Sequence, residues 1–351
     1  MEAIEGMTEN GESKAGLRLL QQGDFTAGVR LVWISGLALI IGALCAFVAY
    51  ALLGLIDFFT SLFYYWHFSF NPLAPARPSE NALGLLAILV PVVGGLVIGL
   101  MARYGSDRIR GHGIPEALEA ILIGRSRMSP RVAVLKPLSS AVSIGSGGPF
   151  GAEGPIIMTG GACGSIIAQV FDLTAAERKT LLVAGAAGGM AATFATPVAA
   201  VLLAVELLLF EWKPRSLIPV ALASAAAMLV RPFVLDAGPL FPMEPLHAQV
   251  QLAGLLAAAA VGLAAGLFAL ILTGAVYAFE DLFHRLPVHW MWWPALGGLV
   301  VGIGGYFQPR TLGVGGDVIR DLLEGKLVLW QVLVPLILVK AGIWATSLGS
   351  G

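Results

Sequence analysis

Long stretches of this chain contain no Asp, Glu, Lys or Arg. Residues 31–56, 81–102, 154–171, 180–205, 245–279 and 286–309 are all free of the four. A hydrocarbon core of ~30 Å needs about 20 apolar residues as a helix, so this pattern predicts an all-α, polytopic membrane protein. Shorter apolar pieces at 114–124, 132–152, 216–230 and 327–351 are broken by Gly and Pro. They are expected to be too short or too interrupted to cross cleanly, and irregular backbone at that depth must line a cavity or be buried in protein. The first 29 residues are polar and of mixed charge, and a long uncharged run follows them. They read as a cytoplasmic tail ahead of a retained span, not as a cleaved signal peptide.

Charge sets the expected orientation. Residues 103–136 hold Arg103, Arg108, Arg110, Arg125, Arg127, Arg131 and Lys136, whereas the connection 66–80 holds only Arg77. The excess of Lys and Arg predicts that 103–136 faces the cytoplasm. Counting back over two spans puts the N-terminus on the same side, in a multi-pass protein of the plasma (cell inner) membrane.

Composition narrows the function classes. Of the 351 residues, 57% are hydrophobic and 12% charged, far from a soluble domain, and the net charge of −1 argues against nucleic acid as a partner. Cys45 and Cys163 lie in uncharged runs and read as packing residues. No phosphate loop or zinc motif occurs, and His67, His112, His247, His284 and His289 have no ligand spacing. No metal or cofactor is expected, and an enzyme is poorly supported.

The chain repeats itself. Residues 91–99 (PVVGGLVIG) reappear as residues 294–302 (PALGGLVVG), a shift of 203. Gly111-His-Gly113 matches Gly313-Val-Gly315 at a shift of 202, and Lys136 with residues 143–147 (SIGSG) matches Lys340 with 347–351 (SLGSG) at 204. Two homologous membrane halves mark transporter and channel folds whose site lies at the repeat interface. The organisation expected is a tail at 1–29, a first transmembrane repeat at 30–235 and an incomplete second at 245–351. By the same alignment about 85 residues of the second repeat have no counterpart here, so the gene is expected to continue.

Two segments carry the candidate chemistry. In residues 110–119 (RGHGIPEALE) the glycines allow an unusual turn and Pro115 sits where a helix begins; in 145–155 (GSGGPFGAEGP), Pro155 is expected to open the run 156–171. Free backbone N–H groups and the macrodipole make a helix start an anion site without a formal cation. Two such starts aimed at one point form an anion cradle. Glu153 lies between glycines with uncharged neighbours on both sides. An intramembrane acid of this kind is a functional candidate. Its carboxylate, itself an anion, would occupy the cradle when ionised and leave it when protonated. A Glu held by a basic group or a helix start is the structural alternative, and the Gly-Pro context favours the gate.

Other residues leave alternatives open. His112 either donates to an anion or simply faces the cytoplasm. Glu206 either relays protons or hydrogen-bonds a helix end. Lys136 either supplies positive potential to a pore or snorkels to the interface. The pairs Gly95/Gly99, Gly160/Gly164, Gly185/Gly189 and Gly298/Gly302 fit close helix packing.

These motifs resemble the CLC family of chloride channels and chloride/proton antiporters. The family's Gly-Ser-Gly-Ile-Pro is similar to residues 111–115 (GHGIP), and its Gly-Arg/Lys-Glu-Gly-Pro to residues 151–155 (GAEGP). The resemblance implies a CLC-type inverted-repeat helical fold, truncated in the second repeat, that is normally a homodimer with one pore per subunit. It implies chloride transport by a voltage- or pH-gated channel or a proton-coupled antiporter. Glu153 would be the gate, His112, Gly113, Ile114, Pro115, Gly151, Ala152, Gly154 and Pro155 would bind the anion, Lys136 would shape the pore potential, and Glu206 would join Glu153 on a proton path. Three departures stand out: His112 replaces the central-site serine, Ala152 replaces the basic residue beside the gate, and Leu207 falls where well-coupled antiporters carry an inner glutamate. The alternatives are a carrier of another small anion such as fluoride or nitrate, which His112 suggests, or a membrane-embedded enzyme acting on a phosphate-bearing lipid.

Overall fold

A computed structural model describes residues 28–70, 83–235, 238, 240–241, 251–326 and 329–351. The expected tail, apart from its last two positions, most of the connection 66–80 and the start of the second repeat at 245–250 lie outside the described residues. Among the described residues there are twelve α-helices and no strand: α1 Val29–Tyr65, α2 Leu89–Tyr104, α3 Ile114–Leu122, α4 Pro130–Gly145, α5 Glu153–Val170, α6 Ala175–Phe194, α7 Pro197–Ala204, α8 Pro214–Val234, α9 Leu252–His284, α10 Trp293–Phe307, α11 Gly316–Leu323 and α12 Trp330–Gly349.

Among the described residues, five helical segments are long and apolar enough to cross a membrane: Val29–Tyr65, Gly84–Tyr104, Pro214–Val234, Leu252–His284 and Trp330–Gly349. Two of them, α8 and α12, correct the expectation that 216–230 and 327–351 are too interrupted. Both helices run on through internal prolines, Pro219 and Pro232 in α8 and Pro335 in α12. Local readjustment and neighbouring groups tolerate a missing N–H in apolar surroundings. Conversely, the run 180–205 is divided, because Ala195 adopts a left-handed conformation (φ 56°) ahead of Pro197, ending α6 and starting α7.

The helices gather into two compact units, each discontinuous in sequence. The first takes its described residues from 1–49, 117–130 and 156–237. Its centre is α6, in which every residue from 180 to 193 is buried. Only small side chains allow neighbours that close: a methyl group on Gly160 would lie 2.4 Å from the Gly185 carbonyl oxygen, and one on Gly185 2.1 Å from that of Gly160. The Arg231 Nε–H donates to Ala192 O at 2.9 Å and the Lys179 ammonium to Leu209 O at 2.6 Å, so two cations satisfy carbonyls near the ends of α6 and α7. Cys45 is buried and both cysteines are free.

The second unit comprises 50–116, 131–155 and the described part of 238–351. Here the repeat becomes physical. Methyl groups on Gly95 and Gly99 would lie 2.3 and 2.1 Å from Pro294 O and Met291 O; methyl groups on Gly298 and Gly302 would lie 2.4 and 2.1 Å from Pro91 O and Ile88 O. As one helix advances through 88, 91, 95 and 99, the other descends through 302, 298, 294 and 291. Helices α2 and α10, equivalent in sequence, therefore cross antiparallel and backbone to backbone, the arrangement of an inverted repeat. The equivalence extends outward. Gly145 of α4 abuts Phe59 of α1, and Gly349 of α12 abuts Phe279 of α9, each with room for no side chain. Tyr64, Val90, Val301, Leu312 and Ile343 form the apolar core around this crossing.

Candidate functional site

Residues 110–116 of the first predicted segment and all of the second, 145–155, fall in the second unit and meet there. The first begins at a loop that only glycine permits, Gly111 at φ 76° and Gly113 at φ 112°, before α3 starts at Ile114 with Pro115 as its second residue. Lys136, on the apolar helix α4, is 1% exposed. Its ammonium donates to Ile109 O at 2.9 Å and Gly111 O at 2.6 Å. It does not snorkel; a cation in apolar surroundings is held by carbonyls, and that grip fixes the loop carrying His112.

The second segment turns at Gly147 (φ 103°) and enters α5 at Glu153, two residues earlier than the sequence suggests. Glu153 thus lies in the first turn of its helix. Its carboxylate folds back over the preceding loop, since a methyl group on Gly151 would lie 1.8 Å from Glu153 Oε2. Ala152, Gly154 and Pro155 are buried, whereas His112 and Glu153 are exposed.

The two loops touch through main chain. A methyl on Gly154 would lie 1.6 Å from His112 O, and one on Gly113 2.5 Å from Gly154 O. Glycine at both positions is what lets the starts of α3 and α5 converge. A contact that the sequence does not announce is made by Glu116, which accepts from the Gly113 N–H at 2.7 Å. This is half of a capping box, and an acid three residues after the loop is the available signal. It takes up the N–H donor immediately ahead of α3.

The repeat supplies a second loop that its sequence alone does not mark as functional. Lys340 donates to Thr311 O at 2.8 Å and Gly313 O at 2.7 Å, matching Lys136. The Gly313 N–H in turn donates to Gly147 O at 3.2 Å. Glu206 sits in the other unit, exposed, in the π-helical turn Val205–Leu209 that follows α7.

A family model described as voltage gated chloride channel matches residues 94–351. A ClcB-like chloride channel protein of Ralstonia nicotianae is 30% identical over 269 residues, covering 75% of this chain and 62% of that protein. The ClcB chloride channel of Escherichia coli is 29% identical over 263 residues, covering 74% and 60%. The chain thus spans about three-fifths of the length of these relatives. Among solved structures, a slow cyanobacterial Cl−/H+ antiporter superposes with a TM-score of 0.78 at 19% identity, covering 93% of this chain and 75% of that one. A CLC-type fluoride/proton antiporter gives 0.74 at 20%, covering 92% and 77%. At these identities the superpositions speak for the fold.

Proposed function

Because the chain belongs to the voltage gated chloride channel family, we propose that it carries the anion pathway of a chloride transport protein, gated by Glu153. The observation that carries this reading is the convergence of the α3 and α5 starts at Gly113 and Gly154, with the Glu153 carboxylate folded back over Gly151. An anion held there meets backbone N–H groups and the positive ends of two helices, which stabilise it without binding it as tightly as a fixed cation would. The ionised Glu153 competes for that position, and protonation releases it.

In this reading His112, Gly113, Ile114, Pro115, Gly151, Ala152, Gly154 and Pro155 line the anion site. Lys136 adds positive potential from behind the first loop, and Glu206 serves an inner proton path. Chloride is the proposed substrate and protons the coupled ion. The exposed His112 favours a second reading, another small anion such as fluoride or nitrate. The segments 30–235 and 245–351 are the two repeats, the basic stretch 103–136 and the N-terminus face the cytoplasm, and the complete protein is a homodimer in the plasma membrane.

The test is anion efflux from liposomes carrying the complete gene product, with external pH recorded simultaneously. Chloride efflux with uphill proton movement identifies an antiporter, and chloride efflux alone a channel. Fluoride or nitrate efflux without chloride efflux would move the assignment to the second reading, and no anion flux would overturn both.

A further inference from the structure

We infer that Lys340, in the second repeat, is a positioning residue for the Glu153 gate; this rests on the gate reading above. The chain of contacts is continuous. Lys340 lies in the middle of α12, one of the apolar segments long enough to span a membrane. A cation placed there needs polar partners, and it finds Thr311 O at 2.8 Å and Gly313 O at 2.7 Å. With the loop so gripped, the Gly313 N–H meets Gly147 O at 3.2 Å. Leu312 packs beside the same residue, its Cδ2 3.3 Å from where a Gly147 side chain would begin.

Gly147 lies six residues before Glu153, on a segment whose other backbone bonds are local: Gly147 N–H to Ile144 O, Gly148 N–H to Ser143 O and Phe150 N–H to Gly148 O, at 2.9, 2.9 and 2.8 Å. Two contacts from elsewhere anchor its consecutive carbonyls. The Tyr64 hydroxyl donates to Ser146 O at 2.9 Å, and the Gly313 N–H donates to Gly147 O. The first anchor comes from α1; the second comes from the other repeat, through the loop that Lys340 holds. The first repeat holds its anion-facing loop with Lys136, and the second uses the matching lysine to hold the turn from which the gate projects. The Lys340 ammonium bonds Thr311 O and Gly313 O and not Glu153, and the route inferred runs through the conformation of residues 147–153. Asp317, in the first turn of α11, is close enough to the Lys340 ammonium to attract it electrostatically.

The experiment is a double-mutant comparison in liposomes of the complete gene product: wild type, Lys340→Gln, Glu153→Gln and the double variant, each checked for a single size-exclusion peak. Chloride efflux is followed across external pH. A position acting through the gate is expected to change efflux by about threefold or more at the steepest part of the pH profile when Glu153 is present, and to change it little in the Glu153→Gln background. Lys340→Arg, which keeps donors for both carbonyls, is expected to restore the wild-type profile. An equal change in both backgrounds, or no change in either, overturns the positioning role. Intact pH dependence in Glu153→Gln alone overturns the gate assignment, and the positioning role with it. Should Lys340→Gln fail to fold, Leu312→Ala tests the same route at Gly147, judged by the same two-background comparison.

Discussion

Lys136 and Lys340 grip their loops in the same way, each ammonium on two carbonyls two residues apart, Ile109 and Gly111 in one case and Thr311 and Gly313 in the other. Beyond the loops the two copies diverge. After the first come Pro115 and Glu116 at the head of α3, with Gly113 pressed against Gly154 at the start of α5. After the second, α11 begins at Gly316 without a proline, and a methyl group on Gly315 would meet nothing nearer than Lys340 Nζ at 3.8 Å. The duplicated parts are scaffold: glycine turns, a lysine bracket and the antiparallel crossing of α2 and α10. What distinguishes the first copy is Pro115 and Glu116 at the start of α3 and the tight approach of Gly113 to Gly154.

The largest expected difference between the copies is at their second glycines. Gly113→Ala forces a left-handed alanine into a position 2.5 Å from Gly154 O, and is expected to cost about 3 kcal/mol or more and to abolish efflux. Gly315→Ala meets only the conformational penalty of its φ of 82°, about 1–2 kcal/mol, and should retain flux. Thermal unfolding in detergent and liposome efflux would check both, and equal damage would mean that the loops are not specialised.

A smaller contrast separates the lysines. Lys136→Met leaves the buried Ile109 carbonyl and the part-buried Gly111 carbonyl without their donor, and is expected to destabilise by about 1–3 kcal/mol. Lys340→Met should cost less, because Lys340 is only partly buried while Lys136 is 1% exposed. Measured unfolding midpoints in the reverse order would break the assignment of burial to the first bracket.

Surface charge gives the smallest effect and a control outside the comparison. Arg30 pairs with Glu177, which also completes a capping box with Thr174. The guanidinium holds the Glu177 carboxyl down at about 2, from an ordinary value of 4.5. A depressed carboxyl contributes stability that is fully present above its unfolded value and is lost as pH falls through the folded one. Glu177→Gln is therefore expected to cost under ~1 kcal/mol at neutral pH, with the difference from wild type shrinking between pH 4.5 and 2. A constant difference across that window, read from unfolding midpoints, would contradict the pairing.

Much of this architecture is legible in the order of residues alone. The repeat shows as three blocks at nearly constant shift, and α2 and α10 realise it glycine by glycine. The two glycine-proline segments and the acid between them point to one site, and Gly113 meets Gly154. Where side chains end is not legible in the same way. Lys136 at the edge of an apolar run is compatible with both a snorkelling and a buried ammonium, and only the three-dimensional position of Ile109 O and Gly111 O distinguishes them. Lys340 is an alignment landmark in the sequence, since nothing local shows that its loop reaches Gly147. Helices α8 and α12 look too interrupted on paper because proline breaks an isolated helix more reliably than one supported by neighbours in a low-dielectric setting.

The most direct measurement of the central claim is the pH profile of chloride efflux from liposomes carrying Glu153→Gln in the complete gene product. With a neutral side chain that cannot compete as an anion, efflux is expected to become independent of external pH and any coupled proton movement to vanish. Efflux that keeps the wild-type pH dependence would contradict Glu153 as the gate.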